Sequence, residues 1–498
     1  MKKPRSRKIV ALYFALSALG VTALTLSACG GGGDTDKSLY TVGGTVTGLS
    51  DTESVVLVNN GTDLTTVSSN RDFTFSVAQT SGTDYAVTVK SRTPGIACAV
   101  TKGTGTLASA HVTSVAVSCG AAKLTVLSSF DGANHGDTPM SALIADSAGN
   151  FYGTTRYGGS FGNGTVFKLS PNGNGYDTSI LYNFGSANAD GAQPRAGLTM
   201  DGAGNLYGTT SLGGTHNQGT VFKLSPNGTD YVQGVIYNFG DAASDGATPL
   251  AGLIMDAEGS LYGTTYNGGS ANMGTVFKLS HNGNGYEESF LYSFSGNAGG
   301  ANPLAALLMD SAGNLYGTTA YGGADEDSGT VFKFTADGGT YRKSNLVTFI
   351  YGDVPHSSLL MDSAGNLYGT FEPNNGSGYL GSVYKISPIG ERTTLGEEMK
   401  GMPFGGLVMD SAGNLYGTTA RYSSDTLGSD TIFKINPSGQ FTTLYTFDRT
   451  VTSGPSSAPG SNGAVPIGSL IMDRAGNLYG TASLGGANSR GTVFKLGD

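Results

Sequence analysis

Basic residues are scarce and tryptophan is absent. Lys and Arg number 28 against 37 Asp and Glu in 498 residues, a net charge of −9. Nucleic-acid binding needs a basic surface, so no nucleic-acid partner is expected. Charged residues of both signs make up only 13% of the chain, while hydrophobic residues stay at 38% and the 80 glycines fall in ordered patterns rather than one tract. That combination points away from disorder and toward a turn-rich all-β protein. There is no G-x-S-x-G elbow with triad partners and no Walker A loop, so neither chemistry has its usual scaffold. The run Gly158-Gly159-Ser160 is too weak a signal for a phosphate site. No cofactor and no metal are expected.

What is present begins with an address. Lys2, Lys3, Arg5, Arg7 and Lys8 precede an apolar stretch from Ile9 to Leu26. Its length would suit a transmembrane helix, but the small residues that follow favour cleavage. Leu26-Ser27-Ala28-Cys29 resembles the bacterial lipobox. The resemblance implies removal of residues 1–28, diacylation of Cys29, and a membrane contact carried by the lipid alone. Residues 29–38 then form a lipidated, Gly-rich tether. In that class of signals Asp after the Cys favours inner-membrane retention. Gly30 stands there instead, which implies the outer membrane, facing periplasm or cell surface. Processing would remove five basic residues and no acidic ones, taking the net charge from −9 to −14. A body that acidic stands off anionic headgroups. Cys98 and Cys119 remain as an even pair in an oxidising compartment. A bridge between them would be worth about 3 kcal/mol; the alternative is two unpaired buried thiols.

Two folded regions follow. Residues 39–120 contain short alternating stretches separated by turn signals such as Asn60-Gly61 and Ser81-Gly82, as in a small β-sandwich. YTVGGTVTGLS, VVLVNNGTDLT, FTFSVAQTSGTDYAVTVK and the closing HVTSVAVSC resemble an Ig-like module common at the N-terminus of bacterial lipoproteins. The resemblance implies a spacer or presentation role. From residue 121 onward the chain repeats. D-x-A-G-N-L-Y-G-T-T or a near variant starts at Asp146, Asp201, Asp256, Asp310, Asp362, Asp410 and Asp473, at spacings of 48 to 63 residues. G-T-V-F-K-L or a variant follows each copy, then most often L-Y-x-F; a short apolar run precedes each Asp. Each repeat therefore reads as four strands a to d with a tight Asp-x-Ala-Gly-Asn turn between a and b. A period near 50 with four strands per unit predicts a seven-bladed β-propeller over 121–498. The last repeat lacks strand d, and Lys123–Phe130 is a strand-d sequence without a repeat before it, so it is expected to close the ring. A β-helix is the rival fold, but its rungs are shorter. The repeats resemble a Gly-rich tandem family typified by GTVFKL, often found in anchored bacterial surface proteins. That resemblance is specific for architecture and implies no assigned activity. Without Trp, the blade signatures of WD-repeat and quinoprotein propellers are missing.

Candidate chemistry is sparse. The repeated Asp suits turn capping better than calcium, which needs several converging oxygens. The repeated Lys of strand c (Lys168, Lys223, Lys278, Lys333, Lys385, Lys434, Lys495) is expected to pair with those Asp residues on the surface. Function should sit where repeats differ, in the b–c and d–a loops at the channel mouth. Tyr157, Tyr266, Tyr321 and Tyr422 recur there and suit sugar stacking or a protein partner, or packing against the next blade. Asp325, Glu326 and Asp327, with Glu397 and Glu398, are paired carboxylates of the kind used in glycoside hydrolysis, or solvated loop charges. His135, His216 and His356 share the loops, but no spacing motif links them into a metal site. Two function classes stay open. One is a non-catalytic propeller binding a glycan or protein; the other is a propeller hydrolase or lyase acting on extracellular carbohydrate.

Overall fold

The structure, a computed structural model, describes residues 38–497 apart from 174, 188, 282, 284, 325–327, 351, 374–380, 397–398, 400, 422–427 and 449–460. Cys29, the signal and the tether lie outside the described residues. So do Tyr422, Asp325, Glu326, Asp327, Glu397 and Glu398. Among the described residues the protein is all-β, with one 3-10 turn at Asn297–Gly299 and no α-helix.

The N-terminal region holds two four-stranded sheets. In one, Val42–Thr47 runs parallel to Val112–Ala121, which also pairs with Ile96–Thr101. The sheets share one apolar cluster that includes Val42, Val46, Val55, Leu57, Phe75, Val115 and Val117. Cys98 and Cys119 face each other across paired strands and form a disulfide.

Seven antiparallel sheets follow, one per repeat, five of them four-stranded and the first and fifth five-stranded. The motif residues account for them one at a time. In Leu206–Thr210, LYGTT, every residue is buried, as suits an inner strand covered on both faces. A Cβ on Gly208 would sit 2.6 Å from Phe222 Cζ of the adjacent GTVFKL strand, so the glycine makes room for that ring. The Tyr207 hydroxyl donates to Asp201 Oδ2. Thr209 Oγ1 donates to Ala251 O of the following sheet at 3.0 Å. Thr210 and Thr220 share a hydroxyl hydrogen bond of 2.8 Å. The turn Asp caps its own loop: Asp201 Oδ1 accepts from Ala203 N and Asn205 N, and Oδ2 from Asn205 Nδ2.

Each sheet packs on the next. Tyr152, Val166 and Phe184 of the first share a cluster with Leu198, Leu206 and Phe222 of the second. The succession returns on itself, because Tyr479 and Val493 of the last sheet pack with Phe151, Phe167 and Leu169 of the first. Lys123–Ser129 pairs antiparallel with Thr492–Gly497 and supplies the last sheet's outer strand. Thr481 Oγ1 donates to Ser141 O across the same joint at 2.9 Å.

The expected Lys–Asp pairing is corrected by strand register. Lys168 lies directly opposite Tyr152 across the b–c pair, and its Nζ sits 5.7 Å from that ring's centroid. Lys223, Lys278, Lys333 and Lys385 repeat the arrangement over Tyr207, Tyr262, Tyr316 and Tyr368. Of the seven Lys residues, only Lys278 comes within ion-pair range of its Asp, at 4.0 Å from Asp256, among the described residues.

Candidate functional site

A second frame runs through the repeats, just before strand a: Pro, one variable residue, two small residues, Leu. The variable residues are Met140, Arg195, Leu250, Leu304, His356, Phe404 and Ile467. Each Pro is buried and each following residue is half-exposed. The Pro packs into the preceding repeat. A Cβ on Gly219, at φ +98, would meet Pro249 Cδ at 2.7 Å. Gly491 stands in the same relation to Pro139, which joins last repeat to first.

The residue before the Pro is held unusually. Thr138, Gln193, Thr248, Asn302 and Val465 all have φ between 54° and 59°. The left-handed region is costly for β-branched Thr and Val, by about 1–3 kcal/mol each, and such strain collects at functional sites. Each is held there by a hydrogen bond to the preceding repeat, as with Thr248 N to Gln218 O at 2.8 Å. Val465 N instead donates to Asp430 Oδ2 at 3.0 Å, because Asp430 occupies the glycine position of its repeat. These five hooks precede Met140, Arg195, Leu250, Leu304 and Ile467; Val354 and Met402, before His356 and Phe404, do not share the positive φ.

Together with Arg421, Val465 and Leu484 they line an axial cup of about 490 Å³. Beneath it the small residues line a narrower shaft of about 260 Å³. A Cβ on Gly252 would lie 3.1 Å from Gly197 O, so larger residues would not fit around the shaft.

The cup is mixed in character: mostly apolar, with Arg195, Arg421 and His356 as its ionisable groups. Arg195 Nε is buried without a hydrogen-bond partner. Burial, and secondarily the Arg156 guanidinium, lower the Arg195 pKa from its usual value. Arginine remains a cation under such shifts. Arg156 stacks 4.5 Å from the Tyr157 centroid and bonds Gln193 Oε1. His356 Nε2 lies 2.6 Å from Glu372 Oε1, and its ring packs edge-on to Phe404. Asp430 Oδ1 accepts from the backbone N of Arg421.

The residues singled out from sequence fall elsewhere. Tyr157, Tyr266 and Tyr321 are partly buried at the ends of their b strands and are not among the cup-lining residues. Tyr157 adjoins Arg195 electrostatically, and Tyr266 adjoins Tyr321. His135 pairs with Asp131, His216 with Asp241 and His356 with Glu372, so the structure does not bring the three histidines together. The ring of seven was readable as the one varying position inside a fixed Pro-x-small-small-Leu frame. An apolar run by itself signals only a strand.

The opposite face carries the a–b turns. There a cavity of about 730 Å³ lies between the fifth and sixth sheets, lined by Asp362, Lys385 and Asp410 among others. The first four repeats carry a longer c–d hairpin with Tyr176, Tyr231, Tyr286 or Tyr341; the fifth and sixth repeats have short hairpins without the Tyr. Asp362 and Asp410 are both committed to their turns. The N-terminal region docks on this same face. Arg92 Nη2 donates to Asn477 Oδ1 at 2.6 Å and Nη1 to Ala475 O at 3.1 Å. Lys434 Nζ reaches Thr52 O at 3.4 Å, which accounts for its burial where its counterparts are half-exposed.

The sequence pattern of the Gloeobacter/Verrucomicrobia repeat matches residues 83–288 and again 284–460. No curated protein matches the chain. Among solved structures, an oligogalacturonate lyase in complex with manganese is similar at 12% identity and TM-score 0.48, over 76% of this chain and 93% of that one. A Bacteroides fragilis protein assigned as a 6-phosphogluconolactonase is similar at 18% identity and TM-score 0.41, over 61% and 82%. A Xanthomonas campestris gluconolactonase is similar at 15% identity and TM-score 0.36, over 60% and 86%.

Proposed function

The chain belongs to the Gloeobacter/Verrucomicrobia repeat family, and from that premise we propose that it is a lipid-anchored, non-catalytic binding protein. In this reading the seven sheets are the blades of one propeller closed by Lys123–Ser129. Its axial cup receives a glycan or a segment of a protein. The Ig-like module is the stalk. The observation that carries the reading is the ring of seven residues, varied in chemistry within an unvaried Pro-x-small-small-Leu frame that is strained at five of its seven positions. A surface kept for packing has no reason to vary at that single position.

The stalk geometry supports presentation. Val42–Thr47 and Val112–Ala121 run the same way, and the loop after Val42–Thr47 carries Thr52 to the propeller. The start of Val42–Thr47 therefore lies away from the propeller, and in this reading the cup faces away from an outer membrane. The second reading, a hydrolase or lyase, has one observation in its favour: the His356–Glu372 pair at the cup. It is a single acid–base pair, and among the described residues no carboxylate lines the cup to act with it. A glycan, cell-wall and peptide screen of the full chain beside its Phe404→Asp variant tests the proposal, with turnover assayed in parallel. Binding that the variant loses, without product formation, is expected. Turnover abolished by Glu372→Gln would establish the enzyme instead.

A further inference from the structure

We propose that the axial cup takes an organic anion, an oxyanion head of carboxylate or phosphate on an apolar body. This rests on the reading of the cup as the binding site and names what it selects. The chain carries a net charge of −9, yet among the described residues no carboxylate lines the cup. Its charged groups are cationic or, for His356, already held by Glu372.

Arg195 is the distinctive member. Its Nε is buried with no partner, a position that costs free energy unless an acceptor arrives. A guanidinium presents parallel donors that match a carboxylate or phosphate. The neighbouring Arg156 adds a second positive charge, since its own contacts, with the Tyr157 ring and Gln193, are neutral. The described acids nearby have partners of their own, although Glu372 Oε2 is buried without one. Asp430 accepts from two backbone N–H groups, and Glu372 bonds His356. Around the rest of the wall stand Met140, Leu250, Leu304, Phe404 and Ile467. Bare inorganic anions would leave that apolar surface wet, whereas an apolar body would cover it. A cup of about 490 Å³ suits a small molecule or a single terminal residue of a chain.

Isothermal titration of the full chain with phenylbutyrate, phenyl phosphate, phenylbutyramide and inorganic phosphate tests this. One site per chain is expected for the two organic anions, with the neutral amide and inorganic phosphate at least about tenfold weaker. Arg195→Gln should weaken both anions about tenfold and leave the amide unchanged; Arg195→Lys should retain part of the affinity. Thermal melting of both variants controls for folding. A preference between the anions supports the proposal in either direction and identifies the head group. The proposal is overturned if amide and acid bind alike, or if Arg195→Gln leaves anion affinity unchanged. If Phe404→Asp then still abolishes binding, the cup remains the site and only its ligand class is wrong. No binding of any probe at about 1 mM also overturns it, and the screen above then judges the cup separately.

Discussion

Single residues do several jobs here because every repeat must fit the next. Gly219 is at φ +98 with Pro249 and Thr210 O against its missing side chain, whereas Gly228 is at φ +66 in open space. Both substitutions to Ala strain the backbone, but only the first also meets packed atoms. Gly228→Ala should cost about 1 kcal/mol and Gly219→Ala about 3 kcal/mol or more, read by denaturant unfolding. Glu288 makes a pH prediction. Burial first, and then Asp245 and Asp241, raise its pKa to about 7, against the opposing hydrogen bond from Tyr237. The folded chain thus holds a proton between about pH 4.5 and 7 that the unfolded chain has lost. Its contribution is fully present below pH 4.5 and fades as pH rises through 7. After allowance for partial exposure the effect should be about 1 kcal/mol. Glu288→Gln should flatten the stability profile between pH 5 and 7.5, and an unchanged slope would exclude Glu288 as its source.

At the scale of strands, closure is the critical joint. Thr492–Gly497 pairs with Leu478–Ala482 on one side and Lys123–Ser129 on the other. Removing residues 123–129 leaves its outer edge open. Hydrogen exchange should then rise in Thr492–Gly497, while Thr165–Asn172 and Gly175–Asn183 stay protected. Loss confined to residues 131–183 would assign the strand to the first sheet instead. Much at this level was legible in the sequence. LYGTT and GTVFKL repeat because each residue has one fixed neighbour, and the orphan strand-d sequence ahead of the first repeat was visible by counting. Direction was less legible. A shared turn face put Lys168 near Asp146, but pairing register puts it over Tyr152. The cup was hidden for a similar reason. Hydrophobic runs report burial, and nothing in the run Pro249-Leu250-Ala251-Gly252-Leu253 says that Leu250 points to the axis while Leu253 enters the core.

The whole molecule has two unlike ends. The described part of the N-terminal region contacts the a–b face, and none of its residues lines the cup. If Cys29 carries the lipid, Cys29→Ser should leave an uncleaved precursor without a diacylglyceryl group, and mass spectrometry of mature wild type finding an intact Met1 would remove the anchor. The central claim is that recognition belongs to the cup and not to the larger cavity between the fifth and sixth sheets. One comparison tests it: binding in the same screen by wild type, Leu250→Asp and Lys385→Asp, with equal thermal melting as the control. Loss with Leu250→Asp and full retention with Lys385→Asp is the predicted result; loss with Lys385→Asp and retention with Leu250→Asp would contradict it.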